Sequence, residues 1–516
     1  MLASFLIVVA LSQVGEVAPG TPIVSIRIVR HDVFDTSDPG MSAWPYRAAN
    51  SLHVVTREGF IRSLLLFKVG DPLDPERLAE TERLLRATGF LQPVDITAHP
   101  APGGAEVVVE THDQWTLEVS IVYGQVGNRR NSGFTLNDDN FLGLGKSVTL
   151  ETRSRTERRT TALRYRDPLF LGTRWQLALG HTEASDGSSN HFQLEYPFFA
   201  LDTARAGGGT WDRDTQTDTL WANAKKAVRG KATRQSFRLW GGLRVDGDGE
   251  GADRLTLGVF GERAIFTGWH RVDGSPYPTP ADRDMLGLEV GWQHQTADWV
   301  VVRGFRAWQR QEDVVLGPSW GVVLGLSLPA FGGDTRRLRY SGDYTRGWLH
   351  DRQYTWVLGN ITGRLDGNTV ANVITHVELG TAKTGRVGWR ARVAADLGHE
   401  LDLDQQLTLG AETGLRGWEP DTFDGTSRAV ANLEWRHQID GELLHLGVLG
   451  VVVFADAGKS WGARVGTDTG GVRSDAGVGL LLEITRAAIL RVVRVEVAYP
   501  DRGKGPTFLV TSDSLF

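Results

Sequence analysis

One arginine and two carboxylates in the last quarter of the sequence have the types and spacing for a charge-assisted contact. Arg416 lies in the stretch ETGLRGWEPDTFDG, Glu434 lies in NLEWR and Asp456 lies in FADAG. The alternation around the two carboxylates predicts two neighbouring strands, with Glu434 and Asp456 on one face. A planar guanidinium can serve two such acceptors in a fixed fork. We therefore predict that Arg416 fixes its loop to that face of the strands.

The same alternation assigns the neighbouring residues to two faces of the predicted strands. Those expected to face inward with the carboxylates are Asn432, Arg436, Phe454 and Gly458, and those expected to face outward are Leu433, Trp435, Val451, Val453 and Ala455. Gly417 is expected to permit a tight turn, and Gly458 to leave room where the loop approaches. The alternative interpretation of Arg416 is an ordinary salt bridge on an inner wall.

Other kinds of chemistry find little support in the sequence. There is no Cys, which excludes disulfides, thiolate zinc sites and Cys nucleophiles. GPSWG at 317–321 and GKSWG at 458–462 match G-x-S-x-G, but no helix is predicted after either stretch. The 13 His residues form no H-x-x-x-H pattern on a helix. We therefore predict no catalytic residue, no metal site, no cofactor and no enzymatic activity.

Composition limits the class of protein further. Of the 516 residues 62 are Gly, about 12% against a usual ~7%, and this argues against a helix-rich chain. Hydrophobic residues make up 41% and charged residues 23%, so the chain is neither disordered nor a helical membrane protein. The net charge of −6 comes without a basic tract, which makes nucleic acid an unexpected partner.

A long region, 115–516, is predicted to supply the strands that position Arg416 and its partners. Apolar and polar residues alternate in segment after segment, beginning with Leu117, Val119 and Ile121. The apolar faces could meet in a soluble β core, or they could face lipid around a polar lumen. Length, abundant Trp and the terminal Phe516 favour an antiparallel transmembrane β-barrel. At roughly 25 residues per strand and loop, we predict about 16 strands.

The first residues have the character of an export signal. The apolar run LASFLIVVAL at 2–11 is too short for a membrane span, which needs ~20 residues. It fits the hydrophobic part of a secretory signal peptide, here 1–20, with cleavage between about 12 and 20. No Lys or Arg precedes the run. A buried strand or helix is the alternative interpretation.

A small α/β domain is predicted between the signal and the barrel, at 21–114. A strand at 23–29 precedes a polar insertion at 31–55, and Thr56 is the expected N-cap of a helix that continues to Phe67. Asp74 and Pro75 mark a second helix that stops at Gly89. Two strands, at 94–98 and 106–111, complete the order strand, helix, helix, strand, strand.

The predicted domain resembles a POTRA domain, the periplasmic module of outer-membrane assembly barrels. The stretches that carry the resemblance are FKVGDPLD, LLRATGFLQPVDI and VVVETHDQWTL, and the sequence has room for one copy. In that family the exposed edge of the sheet binds unfolded client proteins by adding a strand. The alternative interpretation is a generic small α/β domain with no client.

The barrel region resembles the BamA, TamA and FhaC superfamily, whose sixth extracellular loop folds back into the barrel. Leu415, Arg416, Gly417 and Trp418 match its V/I-R-G-F/Y motif, with Leu and Trp as departures. FADAG matches the family's F-x-D-x-G strand, and Glu434 lies at the expected strand between the two motifs. The stretches NDDNFLGLG, RDPLFLGTRW, GVGLLLEI and RVEVAYP resemble further family segments. VVRGF at 301–305 is closer in letters, but it lies about 150 residues before FADAG, so Arg303 is predicted to be a strand or short-turn residue.

This resemblance implies an outer-membrane insertase or translocase that assembles β-barrel proteins or moves client polypeptides without nucleotide hydrolysis. It implies a bacterial outer-membrane location with the N-terminal domain in the periplasm. The implied partners are unfolded clients, outer-membrane lipids and periplasmic chaperones or lipoproteins. Clients would enter at a weak seam between the first and last strands, which the sequence places at Leu117, Val119, Ile121, Phe508, Val510 and Phe516.

Two other functions stay open on the sequence alone. A passive porin-like channel needs an open lumen and no periplasmic domain, so the 21–114 domain and the Arg416 loop count against it. An outer-membrane enzyme needs a convergent nucleophile and base, for which the sequence offers no adequate context. Within the first hypothesis, one POTRA-like domain and no N-terminal plug helix favour barrel assembly or a narrow client set over two-partner secretion.

Overall fold

The computed structural model describes residues 17–126, 129–155, 158–246, 251–466, 468–488, 492–503 and 505–512. Most of the predicted signal peptide, residues 1–16, and the predicted seam residue Phe516 lie outside these ranges. The chain divides into two compact units. The first consists of the residues up to Gln114 together with the short segment Leu142–Leu144. The second unit begins at Trp115. No described helix has the length and apolar character to cross a membrane.

The described part of the first unit contains a three-stranded sheet and three α-helices. In chain order they are β1 (Ile23–His31), α1 (Trp44–Leu52), α2 (Glu58–Leu64), α3 (Pro75–Ala87), β2 (Leu91–Ala101) and β3 (Gly104–Asp113). Strand β3 is central, parallel to β1 and antiparallel to β2. Its alternate residues Ala105, Val107 and Val109 are fully buried, so one face of the sheet forms the core of this unit.

Local sequence signals account for the longest helix and miss another. Asp74 accepts the backbone N–H groups of Glu76 and Arg77 at 3.0 and 3.4 Å, and Pro75 occupies the first turn of α3. Helix α1 lies within the segment 31–55 that the sequence analysis treated only as a polar insertion. None of its residues is buried, its N-cap Ala43 forms no side-chain cap hydrogen bond, and its first turn has no acidic residue, so the usual signals of a helix start are missing.

The expected N-cap of α2 is wrong. Arg57 is the N-cap, and Thr56 is fully buried one residue before it. The backbone N–H and the hydroxyl of Thr56 both donate to Asp113 Oδ2, at 2.7 and 2.8 Å. Thr56 therefore ties the start of α2 to the end of the central strand, a role that a local capping rule does not anticipate.

The second unit is built from strands. They are β4 (Leu117–Val126), β5 (Arg129–Phe141), β6 (Lys146–Arg155), β7 (Arg159–Asp167), β8 (Gln176–Ala184), β9 (Gly187–Tyr196), β10 (Arg205–Ala222), β11 (Lys225–Asp246), β12 (Gly251–Arg271), β13 (Arg283–Thr296), β14 (Trp299–Arg303), β15 (Gln311–Val315), β16 (Ser319–Ser327), β17 (Arg337–His350), β18 (Gln353–Asp366), β19 (Thr369–Lys383), β20 (Val387–His399), β21 (Ser427–Leu443), β22 (Gly447–Trp461), β23 (Arg473–Ile484), β24 (Val492–Pro500) and β25 (Thr507–Ser512). All but β14 and β15, which pair as a separate hairpin, belong to one sheet.

This sheet has 20 antiparallel strands in the described residues, so the prediction of about 16 is wrong. Successive strands are neighbours, and the order returns β25 to the side of β4. The count exceeds the prediction because several connections are two-residue turns, such as 223–224, 351–352 and 367–368. Asn223 and Ala224 have φ of 51° and 59°, the left-handed conformation that the tightest hairpins require.

The two faces of the sheet differ in chemistry along the C-terminal strands. On β21 Leu433 and Trp435 are exposed, while Glu434 between them is fully buried. On β22 Val453 is exposed and its neighbours Val452 and Phe454 are buried. We call the face that carries Glu434 and Phe454 the inner face. Alternation therefore produces an apolar outer face and an inner face that includes buried charge.

Candidate functional site: an inward-folded loop held by buried charges

The connection between β20 and β21, residues 400–426, lies on the inner face of the sheet and is called the inner loop here. It contains a single 3₁₀ turn, Ala411–Thr413, and Leu409 pairs with Phe423 across the loop. Leu409 and Leu415 are completely buried in a cluster with Phe423 and with Val430 of β21. Trp418 packs on this cluster, its ring 4.9 Å from that of Phe423. The loop therefore has its own apolar attachment to the strands.

Arg416 is the charged centre of the loop and is 0% exposed. Its Nε and Nη2 atoms donate to Oδ2 and Oδ1 of Asp456 at 2.7 and 2.8 Å, a bidentate fork. Its Nη1 atom donates to Glu434 at 3.0 Å and to Glu496 at 3.4 Å. The structure thus brings together Arg416, Glu434 and Asp456, and it adds an acceptor on β24 that the sequence analysis missed.

Two further arginines complete what we call the buried ion cluster, consisting of Arg416, Arg436, Arg494, Glu434, Asp456 and Glu496. Arg494 donates to Glu434 at 2.5 Å and to Glu496 at 2.6 Å, and Arg436 pairs with the other oxygen of Glu434. Because buried charges are costly unless they are paired and hydrogen-bonded, removal of one member would leave an uncompensated charge. The cluster joins the inner loop to strands β21, β22 and β24.

A ring and an amide support the arginine from two sides. The Phe454 ring lies under the guanidinium, 3.5 Å from its carbon to the ring centroid, in a cation–π contact. The Asn432 amide donates to the Gly414 carbonyl and to Asp456 Oδ1, both at 2.8 Å. The position of the guanidinium is therefore set by stacking as well as by charge.

The glycines of the site are required for close approach. Gly417 lies in a tight turn in which the Trp418 N–H donates to the Leu415 carbonyl at 3.0 Å, although its φ is not positive. A Cβ at Gly417 would lie 2.7 Å from Cβ of Asp475 on β23. At Gly458 it would lie 3.0 Å from the Ala429 carbonyl and 3.2 Å from Leu409. Both positions leave room for the loop to lie directly on the strands.

A second group of charges fixes the start of the inner loop. Arg364 on β18 holds both oxygens of Asp402, at 2.7 and 2.6 Å. Arg234 on β11 donates to Asp404 at 3.0 Å, and Arg283 on β13 bridges the same two aspartates. Nothing in the loop motif indicates these pairs, because their partners lie up to 170 residues away in the sequence.

A third attachment lies at the end of the inner loop. The Asp424 carboxylate is fully buried. Its Oδ2 atom accepts three consecutive backbone N–H groups, from Arg464, Val465 and Gly466, at 2.6 to 2.7 Å. This carboxylate binds the loop to the connection between β22 and β23. The inner loop is thus anchored at its start, middle and end.

The hairpin formed by β14 and β15 also lies on the inner face, and we call residues 304–310 its tip. The Glu483 carboxylate on β23 accepts the backbone N–H groups of Trp308 and Gln309 at 2.6 and 3.0 Å. Phe305 packs edge-on against Tyr354 and Trp356, with centroids 5.3 and 5.5 Å apart. The structure places Arg303, of the VVRGF stretch, as the last residue of β14.

One arginine connects the hairpin tip to the buried ion cluster. Arg436 pairs with Glu434 through Nε, and its Nη1 donates to the Arg306 carbonyl at 3.2 Å. Glu434 also binds Arg416 of the inner loop. In addition, Ala307 of the tip and Ala411 of the loop pack in the same buried cluster as Val452 and Leu481. The two inserted elements therefore share one carboxylate and one apolar core.

The predicted seam residues lie on the outer face of the first and last strands. Leu117, Val119, Ile121, Phe508 and Val510 are all exposed, Ile121 and Phe508 by 80% and 65%. Paired residues are defined within 19 neighbouring strand pairs of the described sheet, and β25 with β4 is not one of these pairs. The Thr507 hydroxyl at the start of β25 donates to the Gly417 carbonyl at 2.8 Å. The last strand is thus linked to the inner loop.

Comparisons with known proteins find similarity among solved structures. No family model and no curated protein matches the sequence. Among solved structures, it is similar to BamA from Haemophilus ducreyi lacking POTRA domains 1–3, with 15% identity, TM-score 0.41, and coverage of 95% of this chain and 84% of that chain. It is also similar to CdiB from Escherichia coli, with 14% identity, TM-score 0.43, and coverage of 95% and 76%.

Proposed function

We propose that this protein is an outer-membrane insertase or translocase that assembles barrel proteins or moves polypeptide clients without nucleotide hydrolysis. The observation that carries the proposal is the inner loop, fixed by the buried Arg416 to three strands and through Thr507 to the last strand. A loop attached in this way lies on the inner face of the sheet and touches the strand at which a seam would open. It can therefore connect a change at the seam to the inner face, a connection that a passive pore does not use.

The chemistry of the two faces supports the proposed membrane location. The apolar outer face and the charged inner face suit a 20-stranded barrel in lipid, with Leu433 and Val453 facing the acyl chains. The outer membrane is the membrane that such barrels occupy in bacteria. We place the first strand and the N-terminal unit toward the periplasm, since β4 follows that unit directly.

The N-terminal unit is proposed as the POTRA-like domain that receives clients. Its strand β2, Leu91–Ala101, is at one edge of the three-stranded sheet. An edge strand has free backbone N–H and C=O groups, to which an extended client segment can add as a further strand. Clients bound there would be unfolded outer-membrane or secreted polypeptides.

The seam is proposed to lie between β25 and β4. Within the described residues, paired residues are defined for β25 with β24 and for β4 with β5, but not for β25 with β4. A contact with fewer interstrand hydrogen bonds costs less to separate than a fully paired one. Client folding and lipid burial would supply the free energy of insertion.

A passive channel is the alternative function, and the inserted elements argue against it. The inner loop and the hairpin tip both pack on the inner face, with Leu415 and Ala307 buried against the strands. A diffusion pore requires water-filled space along the inside of its strands. A channel would be favoured only if both elements left that space under ordinary conditions.

Depletion of the protein, followed by quantitative mass spectrometry of outer-membrane fractions, tests the proposed function. A broad fall in barrel proteins would support general assembly, and the loss of one or a few proteins would support a dedicated assembler or transporter. An unchanged protein profile together with reduced solute uptake would overturn the proposal in favour of the channel.

A further inference from the structure

Two histidines and a glutamate converge on the sheet of the N-terminal unit. His31 ends β1, and His112 lies directly beside it on the parallel strand β3. Glu110 precedes His112 by two residues on β3, so its side chain points to the same face. Unlike the side chains on the buried face of this sheet, all three are partly exposed to solvent. The three residues are therefore accessible to an ion from solution.

The distances between the three groups are those of a potential coordination site. Nε2 of His31 is 2.7 Å from Oε1 of Glu110, and Nε2 of His112 is 3.8 Å from the same oxygen. One nitrogen or oxygen from each residue lies within 4.8 Å of the others. Zinc binds such atoms at about 2.0–2.2 Å in a tetrahedral arrangement, so two ligand atoms of one ion are about 3.4 Å apart. Small rotations of the partly exposed side chains bring the three groups to that spacing.

We infer that His31, Glu110 and His112 form a binding site for a divalent transition-metal ion, with Zn²⁺ as the ion to test. Two imidazoles and a carboxylate are ligands that zinc and its neighbours in the first transition row accept. Three protein ligands leave a fourth position for water or for a group from a partner. The two rings are stacked, 4.2 Å apart with planes at 12°, so one ring turns about its Cβ–Cγ bond when the ion binds.

The proposed ion would connect the edge strand β1 to the central strand β3. Among the described residues, β1 is hydrogen-bonded in the sheet only to β3. A bound ion adds a cross-link near the C-terminal ends of both strands, and ligand binding to the folded state stabilises that state by mass action. No local sequence pattern indicates this site, because His31 and His112 are 81 positions apart and only the parallel register makes them neighbours.

Titration calorimetry with ZnCl₂ on the full chain in detergent, after treatment with a chelator, tests this inference. The wild-type protein is compared with His31→Ala and His112→Ala. The matched control is His99→Ala, since His99 lies on β2 of the same sheet and contacts Thr97 at 3.0 Å. We expect the wild type and the control to bind one more Zn²⁺ than the two site variants, or to bind it at least about tenfold more tightly.

Glu110→Gln keeps the inference testable if either histidine variant fails to fold. The amide preserves the size of the side chain but removes the anionic ligand, so Zn²⁺ binding should weaken by a similar factor. Co²⁺ in place of Zn²⁺ should give visible absorption bands of a four-coordinate site in the wild type and not in Glu110→Gln. Equal Zn²⁺ stoichiometry and affinity in the wild type and all site variants would overturn the inference.

Discussion

At the scale of single residues, the proposed function depends on how Arg416 is surrounded. Its guanidinium reaches three carboxylates and stacks on Phe454, while all of its surface is removed from solvent. Geometry of this kind distinguishes arginine from lysine, because only the planar fork satisfies several oxygens at fixed angles. Charge alone would not hold the loop in place.

Arg416→Lys should therefore reduce activity while the chain still folds and reaches the membrane. The variant loses the bidentate contact with Asp456, and we expect about a tenfold lower rate of client assembly, equivalent to about 1.4 kcal/mol. The rate is measured as the appearance of folded, heat-resistant client in vesicles. Arg303→Lys is the matched control, since Arg303 is also followed by Gly but is exposed at the end of β14. Equal rates for Arg416→Lys and the wild type would refute the assigned role.

A second residue-scale prediction concerns pH and the N-terminal unit. Burial raises the pKa of Asp113 from 3.8 to about 6, although hydrogen bonds from Thr56 and the neighbouring His53 act in the opposite direction. The folded state thus binds the proton more tightly than the unfolded state. This stabilisation is complete below about pH 4 and is lost as the pH rises through about 6.

Asp113→Asn isolates this effect, because the amide does not titrate. Relative to Asp113→Asn, the free energy for opening the folded N-terminal unit of the wild type should fall by on the order of 2 kcal/mol as the pH rises from 4 to 6.5. Hydrogen exchange of the β3 amides in the full chain measures it. Asp95→Asn, an exposed position on β2, should keep the wild-type pH dependence. A constant difference between wild type and Asp113→Asn over that range would contradict the prediction.

At the scale of elements, the alternation of apolar and polar residues predicts the face of the sheet on which a residue lies. It does not predict which residue of another strand that residue contacts. A period of two is local, so the sequence alone indicates that Glu434 and Leu433 point in opposite directions. Contacts such as Arg416 with Glu496, 80 residues apart, depend on strand register and on the curvature of the sheet. No local pattern specifies either quantity, and for the same reason Asp402 and Asp404 could not be assigned to their arginines.

The hairpin on the inner face had a usable sequence signal. Two runs of Val, at 300–302 and 314–315, flank a segment that contains Gly304, and this pattern is typical of a hairpin. The sequence does not separate the two short strands, because the stretch RAWQRQEDVVLG, which follows the first run, also has the character of a strand. The pattern does not predict that the tip lies on the inner face.

Glu483→Gln tests the hairpin as a closing element. The carboxylate accepts two backbone N–H groups of the tip, and an amide can accept only one while presenting a donor to the other. The tip should then leave the inner face more often, and single-channel recordings should show about tenfold more frequent openings. Glu151→Gln is the control, since Glu151 pairs with Arg153 and Arg164 far from the tip. An unchanged opening frequency in Glu483→Gln would exclude this role.

At the scale of the whole chain, the two inserted elements act through shared residues. Glu434 binds Arg416 of the inner loop and also pairs with Arg436. Arg436 in turn donates a hydrogen bond to the backbone of the hairpin tip. Movement of either element changes the pairing available to the other, which couples them through a physical contact. We propose that the protein stays closed to solutes while it handles clients at the seam.

The most direct test of this account is assembly by the purified protein in lipid vesicles without any nucleotide. A denatured β-barrel client is added to vesicles that contain the wild type, Arg416→Lys or no protein, and folded client is measured over time. We predict faster folding with the wild type than in empty vesicles, a rate about tenfold lower with Arg416→Lys, and little conductance in both. Client folding at the empty-vesicle rate, together with steady high conductance, would contradict the account and identify a passive channel.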